Sequence, residues 1–237
     1  MTTFVLVHGA WHGGWCWRRV VDRLEKQGHK VYAPTMTGVG DRAHLLTPQV
    51  TLQTHINDIS RLIKWEGLSD VVLVGHSYGG MVITGVADAV ADRVRTLIYV
   101  DALTPKHGQC ALDIRSKERN AETLKLAREQ GRGWQIPPTK AATFNVNEAD
   151  QDWVDSHCTN MPLACFTQPL YLSGQGDAIT DRVYIRAGGY PSDYFDAALH
   201  GAEADARFVT HTLGAGHDIM VDDPDGLTEI LLQSPKG

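Results

Sequence analysis

The chain lacks a disulfide framework, a long apolar run and a basic excess, and each absence excludes a class of function. Its four cysteines, Cys16, Cys110, Cys158 and Cys165, form no C-x-x-C pair, so reduced thiols are expected. None of them sits in a turn of the kind that exposes a catalytic thiol. No stretch approaches the roughly 18 apolar residues needed to cross a membrane. Met1-Thr2-Thr3 runs straight into an apolar segment without a basic leader, so a cytoplasmic protein with no membrane partner is expected. Lys and Arg number 22 against 28 Asp and Glu, a net charge of -6, which argues against a nucleic-acid partner. There is no internal repeat and no low-complexity segment. What remains is 237 residues, 43% of them hydrophobic, enough for one α/β domain carrying an insertion.

The most informative stretch is Val71 to Met81, V-V-L-V-G-H-S-Y-G-G-M. An apolar run enters Gly75-His76-Ser77-Tyr78-Gly79, and after Gly80 the apolar spacing becomes helical. This predicts strand, sharp turn and helix, with Ser77 at the apex in a strained backbone conformation and small residues on either side where larger ones would collide. Such a turn exposes the Ser77 hydroxyl. It also leaves the Tyr78 N–H at the first turn of a helix, where an oxyanion would form.

Phe4 to Val7 reads as a central parallel strand. It ends in His8-Gly9-Ala10-Trp11-His12-Gly13-Gly14, a turn suited to a second oxyanion donor, the Ala10 N–H. His8 and His12 lie in that turn with no acidic neighbour in sequence, so no metal site is expected. Helical spacing over 17–27 and 54–66 alternates with strands at 30–34, 71–76 and 94–100. The alternation predicts a parallel sheet with helices on both faces and a site at the carboxyl ends of its strands. His8, Ser77 and Asp101 share that rim. Asp41-Arg42 is expected to form a local ion pair.

After Leu103 the rhythm breaks. Residues 105–181 contain a charged helix (116–130) and no clear strand, and are expected to cap the rim, with core at 1–104 and 182–237. Trp11 on the rim and Trp134, Trp153 and Phe166 in the cap are candidate pocket residues. The sheet resumes at 182–186 and 207–213, and a last helix begins near Pro224.

A serine hydroxyl needs a neutral imidazole to take its proton. His217, in the loop Gly214-Ala215-Gly216-His217-Asp218 after the last strand, has the right place in chain order. The third member, an acid to hold the imidazole, has two candidates. Asp101 ends the strand beside that of Ser77, whereas Asp193 appears as the opening residue of a helix with an N-cap duty. Asp101 is preferred; Asp193, another acid or a serine–histidine dyad stand as alternatives.

Together, V-L-V-H-G-A-W-H-G-G-W-C-W, V-L-V-G-H-S-Y-G-G-M, V-Y-I-R and G-H-D-I-M resemble the α/β-hydrolase superfamily. The branch is that of plant hydroxynitrile lyases and methylesterases with their bacterial esterase relatives. The resemblance covers most of residues 4–104 and 182–233 and is weak in the cap. It implies an α/β-hydrolase fold, Ser77 as nucleophile, His217 as base, and Ala10 and Tyr78 as oxyanion donors. The family's acid would fall near Tyr190, where this chain has no carboxylate, which favours Asp101, the position used by haloalkane dehalogenases and some lipases of this fold. Lyases of this branch carry a hydroxyl after the first histidine and a lysine after the catalytic one; here Gly9 and Asp218 stand there. The expectation is a cofactor-free serine esterase for a small aromatic or uncharged ester. The alternatives are a carbamate or amide hydrolase, a hydroxynitrile lyase and a non-catalytic binding homologue. The small-molecule substrate is the expected partner, and a homodimer is left open.

Overall fold

The computed structural model describes residues 1–234. Val71–His76 (β3) is buried along its whole length, which is why its six residues need no polar alternation: both faces of the sheet are covered. β3 lies between Thr3–Val7 (β1) and Val94–Val100 (β4). Lys30–Tyr32 (β2) flanks β1, and Asp181–Ala187 (β7) and Phe208–Leu213 (β8) follow β4, giving the order β2-β1-β3-β4-β7-β8 with every pair parallel. Helices Arg18–Lys26 (α1), Leu52–Trp65 (α2), Gly79–Ala89 (α3), Asp193–Glu203 (α8) and Pro224–Gln233 (α10) cover the faces. Parallel strands need such crossovers. The chain runs outward from β1 to β2 and returns to β3, so the strand order reverses between β1 and β3. A crevice opens at that reversal.

Between β4 and β7 the chain forms Ala111–Ile114 (α4), Lys117–Glu129 (α5), Glu148–His157 (α6) and Ala164–Thr167 (α7). It also makes a two-residue antiparallel pair, Gln135–Ile136 (β5) with Met161–Pro162 (β6), too short to leave an alternating pattern in the sequence. Short helix Ile219–Asp222 (α9) follows His217.

Two local expectations are corrected. Arg42 donates to the Thr35 carbonyl at 3.0 Å instead of pairing with Asp41, because residues 40–45 coil into a 3-10 segment. Ser192, not Asp193, occupies the N-cap of α8, and Asp193 is exposed in its first turn.

Candidate active site

Ser77 sits one residue beyond β3 with φ of 54°. The turn closes because Gly75 and Gly79 lack side chains. A Cβ on Gly75 would lie 2.8 Å from the Gly79 carbonyl oxygen, and one on Gly79 would lie 2.8 Å from that of His8. Trp11 (φ 65°) and Asp101 (φ 43°) are also left-handed. A non-glycine residue held there costs about 1–3 kcal/mol. Three around one crevice mark where the fold holds strain.

The carboxyl ends of β3 and β4 and the loop after β8 converge. His217 Nε2 lies 2.9 Å from Ser77 Oγ, and His217 Nδ1 lies 2.6 Å from Asp101 Oδ2. With the carboxylate accepting from Nδ1–H, Nε2 is the unprotonated nitrogen that accepts the serine hydroxyl. Asp101 Oδ1 accepts from Arg186 Nη1 at 2.8 Å and from the Ala187 N–H at 3.1 Å. Asp101 is fully buried, and the buried Arg186 guanidinium supplies the counter-charge it needs. Arg186 is itself held by Asp196 and by the Ala187 and Tyr190 carbonyls. The sequence reading missed this support; its signal is an arginine closing the apolar strand Val183-Tyr184-Ile185. Asp193 forms no hydrogen bond or ion pair with His217, whose ring is held by Asp101 and Ser77.

Ala10 and Tyr78 line the same small cavity as Ser77, and among the described residues neither backbone N–H donates to a protein acceptor. At Gly9 a Cβ would lie 2.9 Å from Ser77 Cβ, so a hydroxyl-bearing side chain does not fit there.

His12 has an acidic neighbour after all, supplied by the tertiary fold. Its Nδ1 faces the Ala10 carbonyl at 2.7 Å and its Nε2 faces Asp218 Oδ2 at 3.1 Å, across 206 residues. Both partners are acceptors, so both ring nitrogens carry protons and His12 is an imidazolium. Burial alone would lower His12, but nearby Cys158 and the Asp218 carboxylate hold it well above the ordinary histidine value. Burial likewise opposes ionisation of Asp218, yet His12 keeps its carboxyl well below the usual range. The pair ties the Ala10 turn to the His217 loop. His76 Nε2–H donates to the His217 carbonyl at 3.0 Å, fixing the same loop from β3. His8 is neutral, pushed down to about 3 by burial, and bonds the Gly9 carbonyl and the Met36 N–H.

His76, His217 and Asp218 bring ligating atoms within 4.8 Å of one another, but this is a poor metal site. Both His217 nitrogens and His76 Nε2 are already engaged, leaving one imidazole nitrogen and one carboxylate oxygen.

The cavity above Ser77 holds about 40 Å³ and is lined by Trp11, Phe144, Phe166 and Phe195 together with Arg115 and Arg119. Phe166 stacks on Tyr78 at 5.4 Å between ring centroids. Trp134 and Trp153 lie elsewhere. Trp153 packs edge-on against Trp15 at 5.0 Å under the Arg19 guanidinium, pinning α6 to the core, and Trp134 adjoins the β5–β6 pair, its backbone carbonyl accepting the Leu163 N–H. A larger opening of about 610 Å³ lies between α3 and α8. None of Ser77, His217 or Asp101 reaches it. All four cysteines are free thiols.

A model of the alpha/beta hydrolase family matches residues 4–230. A carbendazim hydrolyzing esterase from a Nocardioides strain is 46% identical over 98% of both chains. Methylesterase 2 of Arabidopsis thaliana is 36% identical over 43% of this chain and 40% of its own length. Among solved structures, an extracellular alpha/beta-hydrolase from a Paenibacillus species superposes with a TM-score of 0.84 at 24% identity over the whole of both chains. A pyrethroid hydrolase from Sphingobium faniae gives 0.78 at 22% identity, over 98% and 96% of the two chains. At these identities the two structures speak to the fold alone.

Proposed function

Since the chain belongs to the alpha/beta hydrolase family, we propose that it is a serine esterase cleaving a small aromatic or uncharged ester through an acyl-enzyme. The observation that carries this reading is the unbroken hydrogen-bonded run Ser77–His217–Asp101 at the mouth of an aromatic cavity. In it, Ser77 Oγ attacks the ester carbonyl while His217 Nε2 takes the hydroxyl proton. Asp101 stabilises the imidazolium that forms. The Ala10 and Tyr78 N–H groups receive the developing oxyanion, each worth about 3 kcal/mol of barrier. His217 then protonates the leaving alcohol, and a water deprotonated by the same nitrogen releases the acyl group.

Residues 105–181 act as the cap, and Phe166 from the cap and Trp11 from the rim shape the acyl or alcohol pocket. No helix among the described residues is long and apolar enough to cross a membrane; the cytoplasm, a small-molecule substrate and pairing with a second copy of the chain complete the reading. A second reading takes carbendazim, named for the 46% identical esterase, or a carbamate ester more generally, as substrate. Hydroxynitrile lyase activity is disfavoured, because Asp218 puts a buried carboxylate where a leaving cyanide would need a cation. Hydrolysis of p-nitrophenyl acetate, with fluorophosphonate labelling of Ser77, tests the reading. Ser77→Ala is expected to abolish both, with kcat falling by on the order of a million-fold. An unlabelled, inactive wild type would point to a binding homologue instead.

A further inference from the structure

The cavity above Ser77 has an apolar wall and a cationic end. Among its described lining residues there is no carboxylate, yet two guanidiniums face it, Arg115 just before α5 and Arg119 in its first turn. Arg119 is provided for: Nη2 donates to the Tyr190 hydroxyl at 2.9 Å and Nη1 lies 3.5 Å from Glu122. Arg115 is not. Its Nη2 donates to Thr123 Oγ1 at 3.2 Å, while Nη1 is buried with no acceptor among the described residues. Its guanidinium instead lies 5.0 Å over the Phe166 ring, which stacks in turn on Tyr78. Three stacked groups therefore lead from the residue after Ser77 to an unpaired cation.

A partly buried guanidinium with one N–H group shut away from water and unpaired is an unfavourable resting state. Burial pushes Arg115 down from the ordinary arginine value, opposed only in part by the neighbouring Tyr194 hydroxyl, as expected of a cation with no carboxylate partner. A molecule bound along the aromatic wall would meet it.

Resting on the esterase reading above, we infer that Arg115 is a specificity-determining residue, donating to an acceptor on the substrate remote from the scissile ester. The substrate class is an aromatic ester bearing, at the far end of its ring, a carboxylate or a neutral acceptor such as a carbonyl or ring nitrogen. Arg119 and the hydroxyl groups of Tyr194 and Thr139 border the same end and complete a polar terminus for a molecule that is otherwise apolar.

Three esters of similar size test this: para-acetoxybenzoate, para-acetoxyacetophenone and para-ethylphenyl acetate. Their different intrinsic reactivities cancel when wild type and Arg115→Met are compared on each. Arg115→Met is expected to lower kcat/KM about 10- to 100-fold on an acceptor-bearing ester, chiefly through KM, and less than about three-fold on the ethyl ester. Loss on the carboxylate alone identifies an anionic substrate; loss on both acceptor esters identifies a neutral acceptor as sufficient. An equal loss on all three, or no loss on any, overturns the inference. If Arg115→Met does not fold, Arg115→Lys, which keeps a charge but loses the planar fork, is expected to retain more activity on para-acetoxybenzoate than Arg115→Gln; equal retention overturns it. Binding of para-hydroxybenzoate, followed by calorimetry on Ser77→Ala with and without Arg115→Met, needs no turnover. A weaker affinity in the double variant, with the wild type inactive on all three esters, would sink the esterase reading and keep the Arg115 assignment; equal affinities would sink the assignment.

Discussion

Asp101 is held from two sides, one oxygen on His217 and the other on Arg186 and the Ala187 N–H. That arrangement orients the imidazole and gives the buried carboxylate the Arg186 guanidinium as a partner. Asp101→Asn is expected to lower kcat about ten-thousand-fold by favouring the wrong tautomer, whereas Asp193→Asn, altering an exposed first-turn residue, leaves it unchanged; steady-state kinetics on p-nitrophenyl acetate read both. The His12–Asp218 pair makes a different forecast, of stability. Removing one partner of a buried pair costs about 3–5 kcal/mol, so Asp218→Asn should lower the melting temperature markedly at neutral pH. The pH dependence follows from the two shifts. Asp218, depressed in the fold, contributes stability above its ordinary value of 3.8, lost as pH falls through the folded value. His12, raised in the fold, contributes fully below its ordinary 6.5, and that share is lost as pH rises through the folded value. Wild type should therefore lose melting temperature on the alkaline side more steeply than Asp218→Asn. Parallel curves would show that the pair is not charged. Neither partner announces the other in sequence, since a histidine in a glycine turn and an aspartate 206 residues on have no local pattern in common.

At the level of elements, the strand–turn–helix around Ser77 and the alternation along the first hundred residues were legible because periodicity reports burial directly. The cap was not. Its helices are short, its one strand pair spans two residues a side, and its aromatics carry no mark of which way they face. Trp153 and Phe166 illustrate the outcome: the first fastens α6 to Trp15 and Arg19, the second faces Ser77 across the cavity. Trp153→Ala is expected to cost about 1–3 kcal/mol of stability in chemical denaturation with KM little changed. Phe166→Ala should instead raise KM several-fold for aromatic esters. Reversed effects would exchange the roles of these two residues.

Across the whole molecule, a cavity of about 40 Å³ has room for little more than a water, whereas ligand sites usually span about 300–1,000 Å³. Entry of a substrate is therefore expected to displace part of residues 105–181, while the sheet, buried along β3 and β4, is expected to stay intact. Hydrogen–deuterium exchange is expected to be at least about ten-fold faster for amides of α5 and α7 than for β3, and to slow in α5 and α7 once a fluorophosphonate occupies Ser77. Uniform exchange, or no slowing, would mean that access runs by another route. Among the described residues lining the roomier opening between α3 and α8, no hydroxyl is hydrogen-bonded to a histidine in the way Ser77 is to His217.

The order of apolar and polar residues was sufficient to determine the parallel sheet, the sharp turn that lifts Ser77 and the chain order in which its base follows, because each depends on the conformational preferences of neighbours. Only the tertiary structure decided that Asp101 rather than Asp193 meets His217, that Asp218 answers His12, and that Arg115 faces the cavity without a counter-charge. Those contacts join strand ends brought side by side by the order β1-β3-β4-β7-β8, and a pairing across 116 residues such as Asp101–His217 is fixed by the packing of the whole sheet, not by spacing along the chain.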